Sequence, residues 1–424
     1  MDPSGGLNLS LSSQVNIPPF VLLGLAAPYK STPAGGYLEI HLASLPPARI
    51  HLAPLFSARI PRVFPSSSSE MATGSNSSSQ ESKQPGPELP KQLPFDFLKK
   101  ITNDFGEDRK ISGSPFGTLY KGIVPDDGRV IAVKKLQENA PMPADKQFNR
   151  EVQNVMSLKH DNIVELVGFC CETQKKLVQF DKRYIQADIT ESLICYEYLP
   201  NGSLQENLFE PKGSTKPEIG WDVRFKIIKG ICQGLRFLHK LDIPIVHMDL
   251  KPENILLDAN MVPKIADFAL SRVFGQEQTR LCTQTVVGSY GYMAPEYLYR
   301  GEISAQSDIY SLGLVIIEIT TGEQNPREKD QPSARSFVDK VRKEWTLENI
   351  TSKYSSLDHE SLQQVKTCID IGSNCVEIDR TKRPRIEEIV DSLNGLRSSQ
   401  KVTEVSRPPT TGKKLMGSIF GLKK

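Results

Sequence analysis

The sequence predicts an α+β fold in which strand-like segments come first and longer helical segments follow. In the first half, Ile131-Ala132-Val133-Lys134 has the alternation of a strand. In the second half, residues 221–238 and 308–319 carry apolar side chains at helical spacing. Between these parts, two short apolar segments each deliver an acidic residue, Asp249 and Asp267, to a loop. These observations predict a strand-rich part that is followed in the sequence by a helix-rich part.

Composition narrows the class of protein. The chain has 424 residues, which suggests two or three compact units, and its formal net charge is only +2. Because no large excess of positive charge is present, we do not expect nucleic-acid binding. The seven cysteines form no metal-ligand spacing and are expected to be reduced thiols of a cytosolic protein. The apolar run at 20–27 is too short for a transmembrane helix, and none is expected.

Residues 1–94 are expected to form a disordered extension, since they are rich in Ser, Pro and Gly and poor in periodic apolar residues. Residues 40–49 are nearly repeated at 50–59, and the prolines exclude a long helix or a central strand there. The segment has the composition of a transit peptide, but an unselected extension is the simpler interpretation. Met71 then offers an alternative start.

The strand-rich part begins with a short amphipathic segment and continues through several apolar runs. Residues 95–105 have helical apolar spacing and predict a lead-in helix. Further on, residues 148–158 predict a helix, and 163–169 and 193–199 predict two strands. A polar segment at 172–191 is expected to separate these two strands.

The stretch His247-Met248-Asp249-Leu250-Lys251-Pro252-Glu253-Asn254 carries the chemistry. Phosphoryl transfer needs little covalent help from the protein, so a site must position a hydroxyl, hold Mg²⁺ and neutralise charge. We expect Asp249 to accept the hydroxyl proton and Lys251 to meet the γ-phosphate. Asn254 and Asp267 supply the oxygen ligands that Mg²⁺ prefers.

These residues, in this order, resemble the eukaryotic protein kinase family. The stretch at 247–254 matches the pattern H-x-D-L-K-P-x-N, residues 267–269 match D-F-x, and 288–296 match the end of the activation segment. Residues 196–204 and 291–297 resemble plant receptor-like kinases and their cytoplasmic relatives, which phosphorylate Ser and Thr. The resemblance implies a bilobal protein kinase fold, with a small β-rich N-lobe at 95–199, a larger mostly helical C-lobe at 200–397, and flanking segments at 1–94 and 398–424.

The same resemblance implies ATP and Mg²⁺ as cofactors and assigns roles to individual residues. Asp308 would brace the catalytic loop, and Arg383 would pair with Glu296. The implied catalytic residues are Asp249, Lys251, Lys134 and its partner Glu151, and the implied metal ligands are Asn254 and Asp267. The implied nucleotide-binding residues are Ser112, Gly113, Ser114, Gly117, Ala132, Lys134, Tyr196 at the gatekeeper position, Glu197 and Leu199.

Three departures from the family pattern stand out. In the phosphate-covering hairpin, Ser112 and Ser114 replace two of three glycines, which predicts a bulkier and stiffer loop. Met248 replaces an arginine that pairs with an activation-loop phosphate in many kinases, so phosphorylation of the activation loop is not expected to be obligatory. Ala269 replaces the glycine after Asp267-Phe268 and is expected to restrict rotation of that loop.

Two functional hypotheses remain open. The first is an active Ser/Thr kinase with protein substrates, located in the cytoplasm and linked to a membrane receptor kinase. The second is a catalytically weak pseudokinase that acts as a signalling scaffold, as the altered hairpin would allow. The tail at 398–424 is basic, and a flexible tail is preferred over its alternative, a weak contact with the surface of the plasma membrane.

Overall fold

The computed structural model describes residues 90–137, 142–180, 182–209, 218–275, 278–327 and 333–396, together with the backbone of 37–41. The predictions made for 1–36, for 42–89 and for the tail at 398–424 lie outside these residues. They include most of the disordered extension, the second repeat copy, the alternative start at Met71 and the contact with a membrane surface.

A six-stranded sheet forms the smaller lobe, with the strand order β2-β6-β7-β5-β4-β3. Strand β5 forms where it was expected, and it pairs antiparallel with β4 and β7. The strands of this sheet are β2 (Lys91–Gln92), β3 (Lys110–Ser114), β4 (Gly117–Ile123), β5 (Val130–Leu136), β6 (Leu166–Phe180) and β7 (Arg183–Glu197).

Two helices cover this sheet. The predicted lead-in helix is α1 (Phe95–Ile101), and its buried Phe95, Leu98 and Ile101 pack with Val133 and other residues of the sheet. Helix α2 (Ala144–Val155) presents Phe148, Val152 and Val155 to the main core. Its buried polar residue Glu151 faces the cleft, where it meets a charged partner described below.

The long β6–β7 hairpin differs from the sequence-based expectation. Residues 172–191 were expected to be a polar segment between two strands, but 172–180 and 183–191 continue these strands, which are 15 residues long each. The reason is an alternating pattern that supports cross-strand pairs: Thr173 bonds Thr190 at 2.9 Å, and Lys176 bonds Glu191. Polarity alone therefore did not reveal that this segment extends both strands.

The larger lobe is mainly helical, and α6 (Ala305–Thr321) lies at its centre. Helix α6 begins with a capping box at Ser304 and ends at Gly322, which has φ of +70°. Nearly all of its side chains are buried, as expected for a helix without a solvent face. The other helices are α3 (Leu204–Phe209), α4 (Trp221–His239), α5 (Pro295–Arg300), α7 (Ala334–Glu344), α8 (Leu347–Lys353), α9 (His359–Cys375) and α10 (Ile386–Gly395).

Short strand pairs position the loops between the lobes. They are β8 (Ile245–Val246) with β11 (Arg272–Val273), β9 (Ile255–Leu257) with β10 (Pro263–Ile265), and β12 (Leu281–Cys282) with β14 (Glu302–Ile303). Strand β13 (Thr285–Ser289) pairs with β1 (Tyr37–His41). Thus five residues of the extension predicted to be disordered form a strand, because β13 offers them an open edge for backbone hydrogen bonds.

Among the residues that the structure describes, no helix combines the length and the apolar character needed to cross a bilayer.

Candidate active site

The catalytic loop, residues 247–254, is braced by Asp308 of α6. The carboxylate of Asp308 accepts hydrogen bonds from the backbone N–H groups of His247 at 2.7 Å and Met248 at 2.8 Å. Met248 has φ of +70°, a left-handed conformation that is costly for a residue with a side chain. The buried carboxylate therefore fixes a bend that the loop sequence would not adopt by itself. This is the bracing contact expected for Asp308.

Asp249 is oriented by three polar neighbours. Its Oδ1 accepts a hydrogen bond from Ser289 Oγ at 2.7 Å, and its Oδ2 accepts one from Asn254 Nδ2 at 2.9 Å. Lys251 Nζ lies 3.1 Å from Oδ2 and also donates to Ser289 Oγ at 2.6 Å. All four residues are buried, or nearly so. The carboxylate thus has a fixed direction and an adjacent positive charge.

Ser289 was missed by the sequence analysis as a member of this group. It lies within the Gly-Ser-Tyr-Gly stretch that supported the kinase resemblance, but a lone serine beside glycines is also typical of a turn. Only the fold, which brings β13 against the catalytic loop, shows that its hydroxyl connects Asp249 and Lys251.

A second cluster surrounds Lys134 of β5. Lys134 Nζ lies 2.9 Å from Oε1 of Glu151 on α2 and 2.9 Å from Oδ1 of Asp267. Burial opposes the charged lysine, but the two carboxylates outweigh it and hold the pKa of Lys134 above its usual value. Burial also opposes the charged form of Asp267, and the Lys134 ammonium outweighs it and lowers the pKa of that carboxyl. Asp267 is thereby kept ionised.

The two clusters are joined through the backbone around Asp267. The N–H of Ala266 donates to the carbonyl of Asn254 at 2.9 Å. The ring of His247 lies 3.0 Å from the carbonyl of Ala266 and packs edge-on against Phe268. Lys134, Glu151 and Asp267 therefore belong to the same site as Asp249, Lys251 and Asn254.

Tyr196 adds a contact that sequence analysis did not anticipate. Its hydroxyl donates to Glu151 Oε1 at 2.5 Å, and burial together with the Glu151 charge raises the pKa of Tyr196 well above its usual value. On the sheet, Tyr196 lies opposite Ala132. Tyr196 is therefore a buried residue of the core, and its gatekeeper role stays a prediction.

The segment that connects the lobes is fixed by its own backbone bonds. The N–H of Glu197 donates to the carbonyl of Glu165 at 3.1 Å, and the carbonyl of Leu199 accepts from the N–H of Gly202 at 3.2 Å. The carboxylate of Glu197 also forms an ion pair with Lys264 at 2.9 Å. The residues expected at the adenine edge are therefore held in place beside Tyr196.

The glycine-poor hairpin, β3 to β4, is built without strain. Ser114 Oγ accepts from the N–H of Phe116 and donates to the carbonyl of Gly117, both at 3.2 Å, so the serine stabilises the turn. Ser112 and Ser114 do not have positive φ values. Gly117 is different, because a Cβ there would lie 2.7 Å from the carbonyl oxygen of Lys135. The retained glycine is the one that packing requires.

Ala269 also fits its place. The left-handed residue of this loop is Asp267, with φ of +66°, whereas Ala269 does not have a positive φ. Its carbonyl accepts a long hydrogen bond from Arg150, at 3.5 Å. In this conformation, alanine at position 269 therefore causes no backbone strain.

The expected contact between Arg383 and Glu296 is also present. Arg383 donates two hydrogen bonds to Glu296, each 2.7 Å long, and both residues are buried. Such a bidentate pair anchors the end of the activation segment to the larger lobe.

Within the described part of the chain, no group of three or more His, Cys, Asp and Glu side chains forms a metal site by itself. Mg²⁺ does not require such a group, because it is commonly bound through one or two carboxylates together with water and substrate phosphates. Asp267, an ionised carboxylate that follows Ala266, whose N–H bonds the backbone carbonyl of Asn254, fits that requirement.

Comparison with known proteins agrees with this geometry. Residues 106–393 match the family described as protein kinase domain. The chain is 37% identical over 321 residues to cysteine-rich receptor-like protein kinase 6 of Oryza sativa subsp. japonica, covering 74% of this chain and 43% of the relative. It is 38% identical over 301 residues to cysteine-rich receptor-like protein kinase 6 of Arabidopsis thaliana, covering 70% of this chain and 42% of that protein. The chain therefore spans less than half the length of these relatives.

Proposed function

Because the chain belongs to the protein kinase family, we propose that it transfers the γ-phosphate of ATP to serine and threonine hydroxyls of proteins. The observation that carries this proposal is the position of Lys134, whose Nζ lies 2.9 Å from both Glu151 and Asp267. This contact joins the smaller lobe to the loop that carries Asp267, the proposed metal ligand.

In this proposal each polar residue of the catalytic loop has one task. Asp249 accepts the proton of the incoming hydroxyl, and its contacts with Asn254 and Ser289 keep one orientation of the carboxylate. Lys251 neutralises charge on the transferred group. Its contact with Ser289 keeps its ammonium beside Asp249 before substrate arrives.

Asn254 and Asp267 would hold Mg²⁺, and Lys134, positioned by Glu151, would bind the α- and β-phosphates. When bound, the metal neutralises phosphate charge and orients the phosphoryl group. Tyr196, Ala132, Glu197 and Leu199 would line the adenine end, and Ser112, Gly113, Ser114 and Gly117 would cover the phosphates with backbone N–H groups.

The scaffold remains the second candidate, and the hairpin favours it. Serine side chains at 112 and 114 keep the backbone farther from a phosphate than glycine would. A weak nucleotide site with all acidic residues intact would be the expected result.

Transfer of radiolabelled phosphate from ATP to a generic protein substrate tests the two candidates. The wild type should label the substrate, whereas Asp267→Asn should not, because the amide loses the charge that holds the metal. Asp258→Asn is a matched control, since the Asp258 carboxylate accepts hydrogen bonds from the backbone N–H groups of Asn260 and Val262 in a nearby turn. Equal labelling by the wild type and Asp267→Asn would overturn the kinase proposal and support the scaffold.

For the whole protein, we propose protein substrates and a membrane receptor kinase as partner, with a location in the cytoplasm close to the plasma membrane. The receptor-like kinase relatives support this assignment. Fractionation of plant cells should find the protein in the cytosol and, in part, on purified plasma membrane; a purely organellar distribution would contradict it.

A further inference from the structure

Arg327 lies outside the motifs, yet it contacts three separate parts of the larger lobe. Its Nη1 donates to Glu253 in the catalytic loop, and its Nη2 donates to Gln205 of α3 at 2.6 Å and to the hydroxyl of Tyr292 at 3.0 Å. The guanidinium also lies over the Tyr292 ring, 5.4 Å from its centre. We call Arg327, Glu253, Gln205 and Tyr292 the Arg327 cluster.

The cluster rests on a buried carboxylate of the central helix. The hydroxyl of Tyr292 lies 2.9 and 2.8 Å from the two carboxylate oxygens of Glu318, and the backbone N–H of Asn325 donates to the same group at 2.9 Å. Glu318 is fully buried and Tyr292 is 2% exposed. Burial raises the pKa of Glu318 to about 8. Arg327, 4.0 Å away, is the nearest positive charge recorded for it among the described residues.

Two members of the Arg327 cluster, Glu253 and Tyr292, lie close in sequence to the residues that orient Asp249. Glu253 lies between Lys251 and Asn254 in the sequence, and both of these contact the Asp249 carboxylate. Tyr292 lies just beyond Ser289, which contacts the other oxygen of the same carboxylate. Arg327 therefore ties together the two backbone segments that carry the partners of Asp249.

We propose that Arg327 is a positioning residue, which holds the catalytic loop against the end of the activation segment and so fixes the Asp249 carboxylate. The kinetic part of this inference rests on the proposed kinase function. Arginine suits the task because its planar fork binds several acceptors at once, whereas lysine offers a single point charge. The proposal assigns Arg327 no contact with ATP or substrate.

Three variants of the full chain test the proposal. Arg327→Met removes the fork, Arg327→Lys keeps only the charge, and Glu253→Gln weakens the partner in the catalytic loop. Arg335→Met is the matched control, because Arg335 on α7 forms ion pairs with Asp339 of the same helix and with Glu377 after α9. Thermal unfolding of each protein first establishes that the variant is folded.

In the kinase assay, Arg327→Met should lower kcat by about tenfold to a hundredfold, since a small misplacement of a catalytic group has effects of that size. KM for ATP should change less than about twofold, because uniform nucleotide binding is untouched. Arg327→Lys should fall between Arg327→Met and the wild type. Combining Arg327→Met with Glu253→Gln should cost little more than Arg327→Met alone, since both act on one contact. A wild-type kcat in Arg327→Met, or additive effects in the pair, would overturn the proposal.

Hydrogen exchange provides a measurement that does not depend on catalysis. Peptides covering 247–254 should exchange faster in Arg327→Met and Glu253→Gln than in the wild type or Arg335→Met. Unchanged exchange in both variants would overturn the positioning role even if the wild type is an active kinase. If the wild type transfers no phosphate but exchange rises as expected, the kinase proposal fails and the positioning of the loop by Arg327 stands.

Discussion

The catalytic loop and the glycine-poor hairpin face the same cleft, but they are built by different rules. In the loop, Asp249 makes side-chain contacts with Asn254, Lys251 and Ser289, all in a buried setting. In the hairpin, Ser114 bonds to the nearby backbone of Phe116 and Gly117, and a Cβ added at Gly113 would meet open space. Chemistry that uses side chains requires particular residues with fixed partners, whereas a loop that offers backbone N–H groups tolerates substitution.

The largest effect that this comparison predicts is at Asp249. Asp249→Asn should lower kcat by about 10²- to 10⁴-fold, the range of a general base, because the amide cannot accept the hydroxyl proton. ATP binding, measured by fluorescence of a labelled nucleotide, should persist. Comparison with Asp258→Asn separates this loss from a general effect of the substitution. A residual rate close to that of the wild type would show that the buried carboxylate only shapes the loop.

The next effect concerns the contact between Tyr196 and Glu151. Tyr196→Phe removes a donor to a fully buried carboxylate and should lower the free energy of unfolding by about 1–3 kcal/mol. Urea denaturation measures the change. Tyr299→Phe is the control, because Tyr299 is 73% exposed. If both variants lose the same stability, the Tyr196 hydroxyl does not support Glu151.

A smaller effect is expected in the hairpin. Restoring glycine with Ser112→Gly and Ser114→Gly together should change KM for ATP by less than about threefold, which is under 1 kcal/mol. The gain from closer backbone approach is offset by the loss of the Ser114 turn contacts and by the flexibility of glycine. Steady-state kinetics against ATP measures this. A much larger improvement would mean that the serines do impair the site and would narrow the difference between the two regions.

The smallest effect is predicted for the activation segment. Met248 is buried in an apolar cluster with Val286 and Met293, so it offers no charge for a phosphate. Alanine at Thr279, Thr283 and Thr285 together should therefore keep kcat within about threefold of the wild type, which again corresponds to less than 1 kcal/mol. The assay with the generic protein substrate measures kcat, and mass spectrometry checks the phosphorylation state of both proteins. An inactive triple variant would show that another group replaces the missing arginine.

Much of the site could be predicted because its polar residues lie in dense local patterns. The stretch at 247–254 contains Asp249, Lys251 and Asn254 together, and the structure brings them to one carboxylate cluster. Asp308 and Arg383 could be anticipated only through the kinase resemblance, because each acts on a distant segment. Both make the expected contacts.

The remaining features could not be predicted because they depend on contacts without a local pattern. Ser289 ends strand β13 and Arg327 lies in an irregular segment, and the role of each depends on a partner far away in the sequence. The β6–β7 ribbon was predicted only as a polar segment separating two strands, because most of its outer part is exposed and many of its residues are polar. In this conformation the left-handed residue of the loop is Asp267 and not Ala269, so the restricted rotation expected from Ala269 stays a prediction.

Phe116, at the tip of the hairpin, is only 1% exposed and belongs to the same apolar cluster as Met248 and Leu270 of the larger lobe. If the cleft opens to exchange nucleotide, this aromatic ring must leave its apolar neighbours and meet water. Exposure of apolar surface increases heat capacity, so the barrier to product release should vary with temperature in a curved way. The hydration of Phe116 and its apolar neighbours would thus contribute to the rate of turnover.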